Sequence, residues 1–479
     1  MNTRSSTMEL TPRPRGRGLV VGGTFVLLSV VVASVAFIPN MSIVAMAACN
    51  VGAVVAYMGL RADPQSGYLF EVIIPISILN FLYFGVGTIY LGIVPEALDF
   101  PALAPYLFPA QTVATLGFLC LLVGYGWFFR QTAPSGLGRY VPRSAMVYIV
   151  PGVLGAIGLS VHKFQLEQML SRGAISASLS FLQQFASLFY FGWFLAWYMY
   201  WSGRLRASLA LPMLVAMGGM GLLVLFYTFG SKTLALTILG LPALAYYEVR
   251  RKLPMKSIVV VVLIFVFIIF PMYNTFRQVN RDLDTSRRLD QTVNLARNWN
   301  SNEYLDASLF AFFKRLTVVT SVAAIVSDTG RWIDYRYGET LLLAPIGLFI
   351  PRFLWPEKPD ISIGREFGDV FRLKNPLDRE TEVSPSLVGE FYWNFSLPGV
   401  VLGMWLLGMG YRWFYQRYGV GSDFDPIRKS IYATLLPTVL LVEGSVAILI
   451  CAFIKVLAIL VVFLLFSRRL GWLEEMQAT

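Results

Sequence analysis

Residues 449–467 read LICAFIKVLAILVVFLLFS, a run whose one charge is Lys455. As a helix, a run of this length rises about 28 Å, close to the ~30 Å hydrocarbon thickness of a bilayer. Arg468 and Arg469 follow at once, where cations commonly mark the exit of a span. Working outward, similar runs recur at 19–38, 41–60, 71–94, 109–129, 144–161, 179–201, 207–227, 233–248, 257–273, 398–412 and 430–447. The 479-residue chain is 56% hydrophobic and only 14% charged. Its mean hydropathy of +0.62 excludes an ordinary soluble protein. The pattern predicts an all-α integral membrane protein with about 12 transmembrane helices.

The net charge of +11 sits mainly in short connectors, which argues against a nucleic-acid partner. One set of connectors holds Arg4, Arg13, Arg15, Arg17, Arg61, Arg130, Arg139, Arg143, Arg204 and Arg206. It continues with Arg250, Arg251, Lys252, Lys256, Arg412, Arg417, Arg428, Lys429, Arg468 and Arg469. The alternate short connectors hold Lys163, Arg172 and Lys232. The positive-inside rule therefore predicts that both termini are cytoplasmic. The run 19–38 is longer than the apolar core of a signal peptide and meets Pro39-Asn40, so a retained first span is expected.

These runs divide the chain into a cytoplasmic tail at 1–18, a bundle of about nine spans at 19–273, a large external loop at 274–397, about three spans at 398–467, and a cytoplasmic tail at 468–479. A loop this long is usually functional. Within it, 308–326 reads as an amphipathic or partly embedded helix. The apolar stretch 340–354 is short for a span and ends near Pro351-Arg352, which suggests a re-entrant or interfacial element. The loop is expected to roof a cavity on the outer face.

Cations gather at that face. Lys232 opens a span, and Arg277 and Arg281 are spaced to share one helical face. Arg352, Lys358 and Arg365 surround a turn stiffened by Pro351, Pro356 and Pro359. Arginine suits bidentate phosphate contacts and lysine supplies a point charge, so a lipid-linked diphosphate fits such a cluster. Structural roles or contact with lipid headgroups explain any single cation as well, except Arg352 and Lys358, whose positions the prolines fix. Glu390 lies among Phe391, Tyr392, Trp393 and Phe395. It reads either as a helix-start cap or as a proton acceptor whose pKa burial would raise. Glu443 and Lys455 read as intramembrane charges that pair or line one cavity. Cys49, Cys120 and Cys451 are too widely spaced for a zinc pattern, and His162 is the single histidine, so no metal site is expected.

Ile350-Pro351-Arg352 followed by Leu354-Trp355-Pro356-x-Lys358-Pro359 resembles the motif of bacterial oligosaccharide repeat-unit polymerases, the Wzy-type O-antigen polymerase family. Gly389-Glu390-x-Tyr392-x-Asn394-Phe395 resembles a second signature, departing at Ser396 where that family commonly has Gly. Gly230-Ser231-Lys232 resembles a third, with Lys where Arg is usual. The resemblance implies a metal-independent, GT-C-like glycosyltransferase of the bacterial inner membrane that needs no cofactor. Its partners would be undecaprenyl-diphosphate-linked oligosaccharide donor and acceptor, membrane lipids and a chain-length regulator. Under it Glu390 is the catalytic candidate, and Arg352, Lys358, Arg277, Arg281, Arg365 and Lys232 are the diphosphate candidates. Trp355, Tyr392 and Trp393 are the glycan contacts. A ligase moving finished glycan to another acceptor shares this chemistry. A flippase is the alternative of another class, though the internal repeats expected of many transporters are not evident.

Overall fold

A computed structural model of the protein describes residues 41–61, 70–127, 140–172, 185–227, 232–252, 255–264, 267, 285–297, 301–342, 363–375, 382–419 and 424–475. The expected tail 1–18 and first span 19–38 lie outside the described residues, as do Arg277, Arg281, Arg352, Trp355 and Lys358.

The protein is mostly helical. In chain order the helices are α1 (Met41–Arg61), α2 (Ile73–Ile93), α3 (Leu107–Trp127), α4 (Met146–Arg172), α5 (Ala186–Trp201), α6 (Ala207–Tyr227), α7 (Lys232–Arg250) and α8 (Met255–Ile264). They continue with α9 (Thr285–Arg297), α10 (Ser301–Arg315), α11 (Val319–Asp328), α12 (Gly364–Val370), α13 (Leu387–Phe414), α14 (Pro426–Val439) and α15 (Val446–Arg469). Two short strands, β1 (Tyr140–Pro142) and β2 (Leu473–Glu475), pair antiparallel.

Among the described residues, three helices are long and apolar enough to cross a membrane: Ile73–Ile93, Pro101–Trp127 and Val446–Arg469. A fourth arises if Leu309–Arg315 and Val319–Asp328, bent by 46°, count as one span. That bend divides the helix expected over 308–326. The span expected at 430–447 also differs. Its helix stops at Val439, so Glu443 lies in the turn before α15 rather than inside a span. There Arg315 approaches it at 3.9 Å.

The α2 span contains a π-helical turn, Phe81–Val86. Such a turn disturbs the regular ladder. Gln111 of α3 supplies a partner, its Nε2 donating to the Phe84 carbonyl at 2.6 Å while Thr88 Oγ1 donates to Gln111 Oε1 at 2.9 Å. The α3 and α13 helices cross with their backbones in close approach. A Cβ at Gly124 would run into the Trp405 carbonyl, and one at Gly408 into the Leu121 carbonyl. Small residues on both sides let the backbones meet. Gly408→Ala is therefore expected to lower stability by about 1–3 kcal/mol through overpacking. Thermal unfolding of the purified protein in detergent checks this.

Contacts between connectors sort into two ends of the bundle. At one end β1 pairs with β2, Arg204 stacks on Phe424 at 3.8 Å, Arg412 meets Glu71 at 3.0 Å and Lys429 meets Glu248 at 3.1 Å. At the other, Lys314 meets Asp99 at 2.5 Å, Arg331 donates to the Tyr106 hydroxyl at 3.0 Å and Arg315 approaches Glu443. Glu71, Glu248 and Glu443 sit at or near the ends of expected spans and the other partners in or beside connectors, which is compatible with the two sides expected from the Lys/Arg count.

Candidate functional site

The second end is organised by a break in α13. Phe395 (φ −142°, ψ 22°) and Ser396 (φ 55°, ψ −150°) leave helical geometry just before Pro398. Pro398 has no N–H, so the carbonyl four residues back, on Asn394, loses its helical donor. The Asn394 carbonyl instead accepts from Tyr337 N at 3.2 Å, and the Trp393 carbonyl accepts from Arg336 N at 3.1 Å. The Asn394 side chain completes the tie. Its Oδ1 accepts from Gly338 N at 2.9 Å, and its Nδ2 donates to Thr340 Oγ1 at 2.7 Å and to the Glu390 carbonyl at 2.8 Å. Ser396 occupies a left-handed conformation that glycine adopts most easily. That gives a physical meaning to the residue type at this motif position.

Glu390 sits one turn before Asn394 and has 0% exposure. Its Oε2 accepts from Val446 N at 2.5 Å, at the start of α15, while Oε1 makes no hydrogen bond. Burial raises its pKa from 4.5 to about 7, outweighing the Thr340 hydroxyl and the N–H groups of Val446 and Ala447, which favour the charged form. Ser445 Oγ accepts from Ile448 N at 3.2 Å, so two side chains satisfy this helix start. The start of its own helix is capped by Ser386, whose Oγ accepts from Gly389 N at 3.2 Å, so Glu390 serves the start of α15 instead, while burial raises its pKa to about 7.

Trp393 requires a correction. It has 0% exposure, with Phe367 and Phe371 rings at 5.8 and 5.2 Å and the Arg336 guanidinium 5.0 Å over its face. It is a packing residue that fixes α12 to α13, and no ring face is left for a sugar. Tyr392 is half-buried beside it. Arg365 is 4.0 Å from Glu382. Lys232 opens α7, and its side chain lies outside the described residues. The structure thus brings Glu390, Tyr392, Trp393 and Asn394 together on one short helix with the 336–340 segment.

Arg336 was not expected from the sequence. It pairs with Glu366, meets Glu339 at 3.0 Å and covers Trp393. Its signal is the alternation of aromatic and charged residues in TGRWIDYRYGET, residues 329–340.

A family model described as a domain of unknown function, DUF8712, matches residues 167–417. The chain belongs to the DUF8712 family. No curated protein and no solved structure matches it. The DUF8712 segment takes in Arg336, Glu390, Asn394 and the break in α13, whereas Val446, whose N–H Glu390 accepts, lies beyond it.

Proposed function

We propose that this protein is a polysaccharide polymerase of about 12 spans with a GT-C-like arrangement. It joins oligosaccharide repeat units carried on undecaprenyl diphosphate at the outer face of a bacterial inner membrane. The observation that carries this proposal is Glu390, a fully buried carboxyl with a pKa near 7, one oxygen held and the other without a hydrogen bond. Its backbone carbonyl accepts from Asn394 Nδ2, which also donates to Thr340 Oγ1.

In the proposed reaction an acceptor hydroxyl oxygen attacks the anomeric carbon of the donor. The bond from that carbon to the diphosphate oxygen breaks, and undecaprenyl diphosphate leaves with the bonding electron pair. The hydroxyl proton passes to Glu390. Fixed positive charge is most useful where negative charge develops, which assigns Arg352 and Lys358, with Arg277 and Arg281, to the diphosphate. No nucleotide sugar is required.

The experiment is elongation by purified protein supplied with undecaprenyl-diphosphate-linked repeat units from the native cells. Long chains should form with the wild type. Arg352→Ala should lower the yield about 10²-fold or more, the scale seen when one charge-stabilising donor is removed. Normal polymer from Arg352→Ala at equal protein abundance rejects the diphosphate assignment. Transfer of finished glycan to a different acceptor, without elongation, identifies a ligase instead.

A further inference from the structure

The segment after α11 has a feature that packing does not explain. Trp332 is 87% exposed and Tyr337 is 74% exposed, while the backbone between them is tightly held. Gly330 N donates to the Ile333 carbonyl at 2.7 Å, and Trp332 N and Ile333 N both donate to the Asp328 carbonyl, at 2.9 and 3.1 Å. Farther along, Arg336 N, Tyr337 N and Gly338 N bind the carbonyls and side chain released at the break in α13. The Tyr335 ring lies against Gly330 and 6.1 Å from the Tyr337 ring. Tyr337 itself is held at φ 45°, an unusual conformation for a bulky residue. Strained residues persist where surrounding structure over-determines them, and they cluster at functional sites.

Here the over-determination serves to present two aromatic rings to solvent. Large rings on a rigid backbone give contact area at low entropic cost, because little freedom remains to be lost on binding. Charged residues alternate with the rings: exposed Arg331, Asp334 and Glu339, and half-buried Arg336. A sugar ring matches this pattern, with a C–H face that lies on an aromatic ring and hydroxyls around its edge that bond to carboxylate and guanidinium. A bilayer anchor fits less well. Aromatic residues do collect at membrane interfaces, but Asp334 and Glu339 would face anionic headgroups.

We propose that Trp332 and Tyr337, backed by Tyr335 and flanked by Asp334 and Arg336, form a saccharide-binding platform on this loop. The proposal rests on the polymerase reading for the identity of the saccharide, a lipid-free stretch of the repeat unit. The platform supplies the open ring faces that Trp393 does not.

The test uses the full chain in nanodiscs and, as probe, oligosaccharides released by mild acid from the polyprenyl-diphosphate pool of the native cells. Saturation-transfer NMR should show transfer from protein to sugar C–H protons. Trp332→Ala combined with Tyr337→Asn should weaken binding about tenfold, about 1.4 kcal/mol. Asn tolerates the left-handed backbone, so the ring is lost while the loop geometry is kept. Trp127→Ala, exposed on α3, is the control and should leave the signal unchanged. Equal binding by the double variant, or no transfer to the wild type, overturns the platform. So does quenching of the Trp332 fluorescence, taken as wild type minus Trp332→Phe, by brominated acyl chains, which would mark a bilayer anchor. The two proposals fail separately. Ring-dependent binding by a wild type that elongates nothing leaves the platform standing and removes the polymerase.

Discussion

If the protein is the proposed polymerase, Glu390→Gln should reduce chain elongation by about 10²–10⁴, the usual worth of general-base assistance, while membrane abundance stays near the wild-type level. Gln preserves size and an oxygen that accepts from Val446 N, the contact that ties α13 to the start of α15. It removes the group proposed to take up the acceptor's proton. In the wild type the pKa of about 7 makes the base form grow in as pH rises through neutrality. Elongation should therefore rise between pH 6 and 8 with an inflection at about 7, and the residual rate of Glu390→Gln should lose that inflection.

Stability runs the other way. The folded-state pKa is raised from 4.5, so between 4.5 and about 7 the folded chain keeps a proton that the unfolded chain has released. Stability therefore falls as pH climbs through that window. Glu390→Gln should abolish this share of the slope in thermal unfolding. Glu390→Ala tests the cap instead. It leaves the Val446 N–H buried without its partner, at a cost of about 1–3 kcal/mol. Wild-type elongation by Glu390→Gln, together with loss of folded Glu390→Ala, would reduce the residue to a cap.

The helical character of the chain was legible because apolar runs need no tertiary information. The two-sided Lys/Arg pattern is compatible with the contacts between connectors. The β1–β2 pairing and the stacking of Arg204 on Phe424 then join connectors that are distant in sequence but share that charge label. Helix ends were less legible. The run 430–447 is apolar throughout most of its length, yet its helix stops at Val439 and a turn carrying Glu443 precedes α15.

At the site, hydrophobic pattern singled out the aromatic company of Glu390 but not which ring faces are covered. Coverage depends on α12, which the sequence places more than twenty residues away, and on Arg336, whose backbone is held by carbonyls that exist only because α13 breaks. The Ser396 departure from a glycine-favoured position carried the signal of that break, since its φ of 55° is where glycine is usual. The buried charge pairs at the opposite end were hidden for another reason. Glu71 and Glu248 lie at the ends of apolar runs, where a carboxylate reads as solvated until a partner helix closes over it.

That last pair makes the largest stability prediction. Lys429 Nζ lies 3.1 Å from Glu248 Oε2 and donates to the Gly419 carbonyl at 2.9 Å; the two side chains are only 3% and 2% exposed. Lys429→Met should cost about 3–5 kcal/mol, because it leaves the Glu248 charge buried with its nearest cation gone. Arg251, 3.9 Å from the same oxygen but 49% exposed, is too well solvated to replace it. Glu248→Leu should be destabilising as well, though Lys429 then keeps the Gly419 carbonyl. Combining the two substitutions should recover most of the loss, since an apolar pair of similar volume needs no compensation. Unfolding of all four proteins in detergent gives the coupling energy directly. Because this pair sits at the end away from Glu390, elongation per folded molecule should remain at the wild-type rate in Lys429→Met. A variant that stays fully folded yet stops elongating would move the pair from architecture into the chemistry. Additive losses in the double variant would show that the two charges do not depend on one another.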